Sequence, residues 1–196
     1  MVLRALDFRR LARIGCAGAV VVAGCKKEEA KPAANPVDAV FADFGKRVDA
    51  YMKVRKTVVD SVGDLDPTRS QAEITARATT LANGIIAARA QAKPGDIFTP
   101  ELSALVATLI KQEYGRRPDS VQETREDQQD ELPDFVPKVN TLYPTTYPLA
   151  TCPATLLPLL PRLPEQLEYR VVQRYLVLRD IEANVILDVM PNAVPG

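Results

Sequence analysis

The chain has 196 residues, 25 basic and 25 acidic side chains, no histidine and no tryptophan. Without histidine there is no serine–histidine triad, no usual metal ligand and no side chain that titrates near neutrality unaided. With charges balanced, there is no basic excess of the kind that reads nucleic acid.

The first stretch reads as an export leader. Met1 to Ile14 carries Arg4, Arg9, Arg10 and Arg13 against a single acid, Asp7, and Gly15 to Gly24 follows without a charge. A basic start, a short apolar run and small residues at the end are the layout of a secretory signal. The apolar run is about half the roughly 20 residues that a spanning helix needs. Val22-Ala23-Gly24-Cys25 resembles a lipobox, where bacterial lipoproteins are cut between Gly24 and Cys25 and lipidated on Cys25. Charged Lys26-Lys27-Glu28-Glu29 begins directly after it. The expectation is a lipoprotein signal peptide over 1–24. A plain secretory signal is the simpler alternative. Arg9-Arg10 also allows a twin-arginine reading, which Phe8 and Ala12 fit poorly. Resemblance to lipoproteins implies two or three acyl chains, and so stable attachment where one chain binds only marginally. Lys26, where an inner-membrane lipoprotein often has Asp, leans towards the outer membrane. Leader removal takes four arginines and one aspartate, leaving 21 basic and 24 acidic residues, a net charge of −3.

Residues 25–36, rich in Lys, Glu, Ala and Pro, read as a solvated tether. Extended, it reaches on the order of 40 Å. A single domain then fills 37–196. Its first helix runs from about Val37 to Val62. Val37, Phe41, Phe44, Val48, Tyr51, Val58 and Val62 form a heptad seam broken only by Arg55. The second helix starts near Asp66-Pro67, with a capping box at Ser70 and Glu73 as the alternative. Ile74, Ala78, Leu81, Ile85 and Ala88 form its seam, and Lys93-Pro94-Gly95 ends it. Its many small residues and the short turn before it predict close antiparallel packing on the first helix. A third helix is capped by Thr99 with Pro100 in its first turn. It presents Leu102, Leu105, Val106, Leu109 and Ile110, ends at Gly115, and has Ile97 and Phe98 stapled into the core beside its start.

Pro118 to Glu131 reads as a polar helix. Glu123, Asp127 and Asp130 share a face there, but calcium loops interleave glycine and carbonyl ligands with their acids, and this stretch has no glycine. A solvated face is the expectation, with no metal and no cofactor. Residues 132–166 are crowded with proline among Tyr143, Tyr147, Leu149, Leu156, Leu157, Leu159 and Leu160. This is too apolar for a free linker and reads as an extended strap over the helices. A ligand for a proline-recognition module is the sharper alternative.

Residues 167–190 alternate as three strands, Leu167 to Val172, Tyr175 to Ile181 and Val185 to Met190, an antiparallel meander. A two-residue turn at Gln173-Arg174 sets Arg170 opposite Val177 and Glu168 opposite Arg179. A turn at Ala183-Asn184 sets Arg179 opposite Asp188, giving a charge ladder Glu168–Arg179–Asp188 on one face. Leu167, Tyr169, Val171, Leu176, Leu178, Leu187 and Val189 occupy the other face. A one-residue slip would put Leu178 against Asp188, which the pattern disfavours. Asp180 is the exception, since alternation places it on the apolar face. It either sits at the sheet's end or pairs with an arginine from the helices. As a carboxylate in apolar surroundings it is also the candidate functional acid. The fold class is therefore α+β, with three to four antiparallel helices (37–131), a proline-rich strap (132–166) and the meander (167–190).

The run Leu159 to Arg170, Leu-Leu-Pro-Arg-Leu-Pro-Glu-Gln-Leu-Glu-Tyr-Arg, continues to Leu176-Val177-Leu178-Arg179-Asp180 and Ala183-Asn184-Val185-Ile186-Leu187-Asp188. It is similar to the end of a family of uncharacterised exported bacterial proteins, a likeness that reaches back to Gly95-Asp96-Ile97-Phe98-Thr99-Pro100-Glu101. The resemblance implies an exported protein and no particular activity. The meander alone also resembles, by its spacing, the C-terminal end of periplasmic nickel/cobalt-homeostasis proteins, but the absence of histidine gives no licence for their metal.

Cys16 leaves with the leader and Cys25 carries lipid, so Cys152 is a lone thiol, expected as a buried small hydrophobe. No serine is followed three residues on by lysine: Ser61, Ser70, Ser103 and Ser120 precede Asp64, Glu73, Val106 and Glu123. The S-x-x-K hydrolase pattern is thus missing. The expected function is that of a lipid-anchored protein of the cell envelope, facing the periplasm, which binds or supports an envelope partner and does not catalyse. The alternatives are a carrier of a small apolar ligand between strap and helices, and an acid-based hydrolase that needs a second carboxylate beside Asp180. The sequence does not fix the oligomeric state.

Overall fold

A computed structural model describes residues 35–63, 70–116, 135–148 and 152–194. Together they belong to one compact unit, Ala34–Gly196. The polar helix expected at Pro118 to Glu131, its acids, and the leader and tether up to 34 lie outside the described residues. Among the described residues no helix is long and apolar enough to cross a membrane.

The fold is α+β, as the pattern predicts. Helix α1 spans Pro36–Val62, α2 Gln71–Ala88 and α3 Pro100–Tyr114. Strands β1 (Thr141–Leu142), β2 (Leu167–Val172), β3 (Tyr175–Asp180) and β4 (Val185–Met190) form one antiparallel sheet in the order β1-β4-β3-β2. The three C-terminal strands are the expected meander; the fourth strand comes from the strap.

Each helix begins where a side chain meets its free N–H groups. Asn35 accepts from the Val37 amide with Pro36 next in line, and Thr99 does the same for Leu102 before Pro100. In α2 the capping residue is Ser70, which accepts from Glu73. The alternative start is therefore the one observed, and Asp66-Pro67 lies outside the described residues. Helix α2 also stops sooner than expected, at Ala88, with the chain turning through Arg89 to Gly95 at φ +89°. Its first half carries Ile74 in solvent, 42 % exposed, and only Leu81, Ala82 and Ile85 are buried. The helices do pack closely. A methyl group on Gly84 would lie 2.5 Å from Val58 Cγ1, so only glycine leaves α1 room there.

One face of the sheet lies on the helices. Phe44, Val48 and Tyr51 of α1, Leu102, Val106 and Ile110 of α3, and Tyr169, Leu176, Leu178 and Leu187 of the sheet share a core. Phe44, Phe98 and Tyr169 stack with centroids 6.1–6.5 Å apart, joining α1, the lead-in to α3 and β2. Ile97 and Phe98 are buried as the staple reading requires.

The strap does more than lie over the helices. Its first part crosses the opposite face of the sheet. There Tyr143 and Tyr147 bury Val172, Val177, Ile186 and Val189 in a second, smaller core. Only then does it return to the helix side, where Leu156 and Leu160 enter the main core. Both sheet faces are therefore covered, and every residue of β4 is buried. A strand buried on both sides loses its two-residue alternation, because neither face needs polar groups.

That loss matters for register. Between β2 and β3 the pairing is as expected, with Arg170 opposite Val177 and Glu168 opposite Arg179. Between β3 and β4 it is not. Leu178 faces Asp188 and Arg179 faces Ile186, with a bulge between. The slip that alternation disfavours is present, and the extra residue moves Asp188 to the helix side and Val189 to the strap side. The Glu168–Arg179 pair forms. Asp188 leaves the charge ladder, and Arg179 instead donates Nε–H to Asn184 Oδ1 at 2.8 Å and lies over the Tyr143 ring.

Candidate functional site

Among the described residues two carboxylates are wholly buried, Asp180 and Asp188, both at 0 % exposure. Buried ions must be paired or hydrogen-bonded, so their partners decide what they do.

Asp180 ends β3, at the end of the sheet that faces the middle of α1. Its Oδ2 accepts from Arg55 Nε at 2.8 Å and from the Tyr51 hydroxyl at 2.7 Å, while Oδ1 accepts from the Ala183 amide at 2.8 Å. Both structural readings of Asp180 hold: it sits at the sheet's end and it meets an arginine from the helices. Arg55 continues to Glu182 at 2.7 Å, and Arg77 meets the same glutamate at 3.2 Å. Burial and the neighbouring Asp180 charge hold the Tyr51 phenol well above its ordinary range. The Arg55 guanidinium is raised as well, the Asp180 and Glu182 charges and hydrogen bonds outweighing the larger opposing effect of burial.

The Asp180 carboxylate itself is closed off from solvent. Asp180 lines neither of the two described cavities. Glu182 is a second acid nearby, and Arg55 bridges it to Asp180. The network is a clamp between α1 and the β3–β4 connection.

Asp188 was placed on the charged face by sequence reasoning, and its actual role was missed. Its Oδ2 accepts from the Ile97 and Phe98 amides at 2.7 and 2.8 Å, and Oδ1 from Gly95 and its own neighbour Val189 at 3.0 and 2.8 Å. A carboxylate thus gathers the backbone of the lead-in to α3. The usable sign in the sequence was the Gly95-Asp96-Ile97-Phe98 turn, whose amides need acceptors.

Two cavities open among the described residues. One, of about 500 Å³, lies between the returning strap and β2, lined by Cys152, Leu157, Leu160, Leu163 and Tyr169 among others. Cys152 is partly buried and free, and burial pushes its thiol up to about 11. A thiol so poised is protonated and a poor nucleophile near neutrality. The other cavity, of about 670 Å³, opens between α1 and the turn after α2. Among the described residues no three metal-ligating side chains come together. Cys25 and Gly24 lie outside the described residues.

Fold and site together define an α+β domain whose buried charges tie its parts together and whose described residues line two open grooves. No protein family, curated protein or solved structure matches the chain.

Proposed function

We propose that this is a lipid-anchored protein of the bacterial cell envelope, held by acyl chains on Cys25, whose domain acts by binding and not by catalysis. The observation that carries the anchor is Val22-Ala23-Gly24-Cys25 after a basic, then apolar leader. A polar stretch separates Cys25 from the α1 cap at Asn35, which suits a tether. The non-catalytic reading is supported by the engagement of both buried acids with scaffold partners. The test is Cys25→Ala in cells. Wild type should incorporate radioactive palmitate and sediment with membranes, and the variant should do neither. Palmitate incorporation that survives the substitution overturns the anchor.

A second reading is favoured by the strap cavity. Its several hundred cubic ångströms, lined by four leucines and Tyr169 with Arg162, Glu168 and Arg170 also on the wall, suit a small, mainly apolar ligand. Leu160→Trp would fill it. Loss of binding of a fluorescent apolar probe by that variant supports a carrier, and a wild type that binds no such probe excludes one.

A further inference from the structure

The groove between the returning strap and β2 runs along an edge of the sheet. In the order β1-β4-β3-β2, strand β2 has a neighbour on one side only among the described residues. Its register with β3, and the bond from the Ile181 amide to the Gln166 carbonyl at 2.9 Å, turn the backbone groups of Gln166, Glu168, Arg170 and Val172 towards β3. An antiparallel pair bonds through every second residue, so those of Leu167, Tyr169 and Val171 face outwards. The Leu167 N–H turns back to the Pro164 carbonyl at 3.0 Å. The amides and carbonyls of Tyr169 and Val171 have no backbone partner among the described residues. Native sheets blunt or cover such an edge, because it otherwise pairs with another chain.

The groove meets that edge. Leu167, Glu168, Tyr169 and Arg170 all line it. Successive residues of a strand point to opposite faces, so one opening touches all four only where it runs along the strand's outer side. Opposite them stands the strap, with Leu157, Leu160 and Leu163. Leu157 is 49 % exposed, a large apolar side chain left to water at the rim. The space of about 500 Å³ suits a few residues of one extended chain, whereas the strap wall stands where a second folded sheet would have to enter. Charge adds a preference. Glu168 is taken by Arg170 and Arg179. Arg162, exposed on the same wall, makes no ion pair among the described residues.

We infer that this groove takes an extended, acidic peptide segment of a partner protein, which adds to β2 as a further strand. Its backbone bonds Tyr169 and Val171, alternate side chains enter among the strap leucines, and an acid meets Arg162. This deepens the binding reading, on which it rests, and fills with peptide the space that the carrier reading gives to an apolar ligand.

The experiment titrates the folded chain with acetylated and amidated hexapeptides that alternate valine or leucine with glutamate, following the backbone amides by NMR. A glutamate peptide should saturate, and should shift the Tyr169 and Val171 amides and protect them from exchange. The same peptide with lysine for glutamate should bind about fivefold more weakly. Two N-methylated series, blocked at odd or at even amides, read the geometry directly. One should lose about tenfold or more and the other should bind as the parent does, because only alternate amides face β2. Arg162→Glu, at an exposed position, should reverse the charge preference. Tyr169 and Val171 amides already protected in the free chain, no glutamate peptide that saturates, both methylated series binding alike, or an unchanged charge preference in Arg162→Glu overturns the inference. Saturation by a fluorescent apolar probe where every peptide fails also overturns it, while the binding reading stands.

Discussion

The Arg55 guanidinium and the Asp180 carboxylate meet at 2.8 Å across 125 positions of sequence. Each is the one misfit in its own pattern, Arg55 on the heptad seam of α1 and Asp180 on the apolar face of β3. A charge facing a core from one element is a fault; two of opposite sign facing each other are a join. The pair fixes which turn of α1 lies against which end of the sheet.

Breaking this join from one side strands the other charge. Asp180→Ala should cost about 3–5 kcal/mol, the range for a buried pair losing one member. Tyr51→Phe removes one hydrogen bond to the same oxygen and should cost about 1–2 kcal/mol. Urea unfolding of both single variants and the double variant checks the pair, and their effects should be non-additive, since both act on Asp180 Oδ2.

Asp188 makes a separate prediction. Asp188→Ala leaves the Gly95, Ile97 and Phe98 amides without their acceptor, and should destabilise by about 3 kcal/mol or more. Asp188→Leu, nearer in size, should not rescue it, because the lost acceptor and not the lost volume is at fault. Hydrogen exchange at Ile97 and Phe98 should accelerate in both variants relative to amides in α1.

Gly84→Ala should be harmful in spite of alanine's better helix propensity. That propensity favours alanine by about 1 kcal/mol. The new methyl group meets Val58 Cγ1 at 2.5 Å, and a β-branched side chain has little freedom to move aside. A net loss of about 1–2 kcal/mol is expected in thermal or urea unfolding. Val58→Ala in the same chain should make Gly84→Ala neutral or favourable, which identifies the clash as the cause.

Cys152 gives a pH signature. Burial raises its thiol from the ordinary 9.0 to about 11. The unfolded chain therefore ionises first, and the stability tied to the neutral thiol is complete below pH 9 and lost as pH rises through about 11. In a chain carrying Cys16→Ala and Cys25→Ala, iodoacetamide should alkylate Cys152 slowly at pH 8, with a rate midpoint near 11. A midpoint near 9 would mean that the thiol is not shielded by the strap.

Much of this was legible before any coordinates. The caps Thr99 and Ser70, the seam of α1, the β2–β3 register and the two fates of Asp180 rest on local chemistry that short spacing carries. The β3–β4 register was not legible, for two reasons. Val185 to Met190 is nearly all apolar, so it holds little phase information. The turn at Ala183-Asn184 and simple alternation then set Asp188 opposite Arg179, whereas three backbone amides from a distant turn compete for the same carboxylate and a bulge delivers it to them. The strand within the strap was hidden for a similar reason: two residues are too few to show a period.

Both buried acids lie late in the sequence, and both hold parts laid down far earlier. Asp180 reaches back 125 positions to Arg55, and Asp188 reaches back 91 to Ile97. Until the final hairpin arrives, α1 carries a cation on its apolar stripe and the turn before α3 has no acceptor for its amides. The helical half is thus poorly suited to close by itself, and folding waits on closures of long range, which are slow. Pulse-labelled chains should stay protease-sensitive until the last strand is made and released.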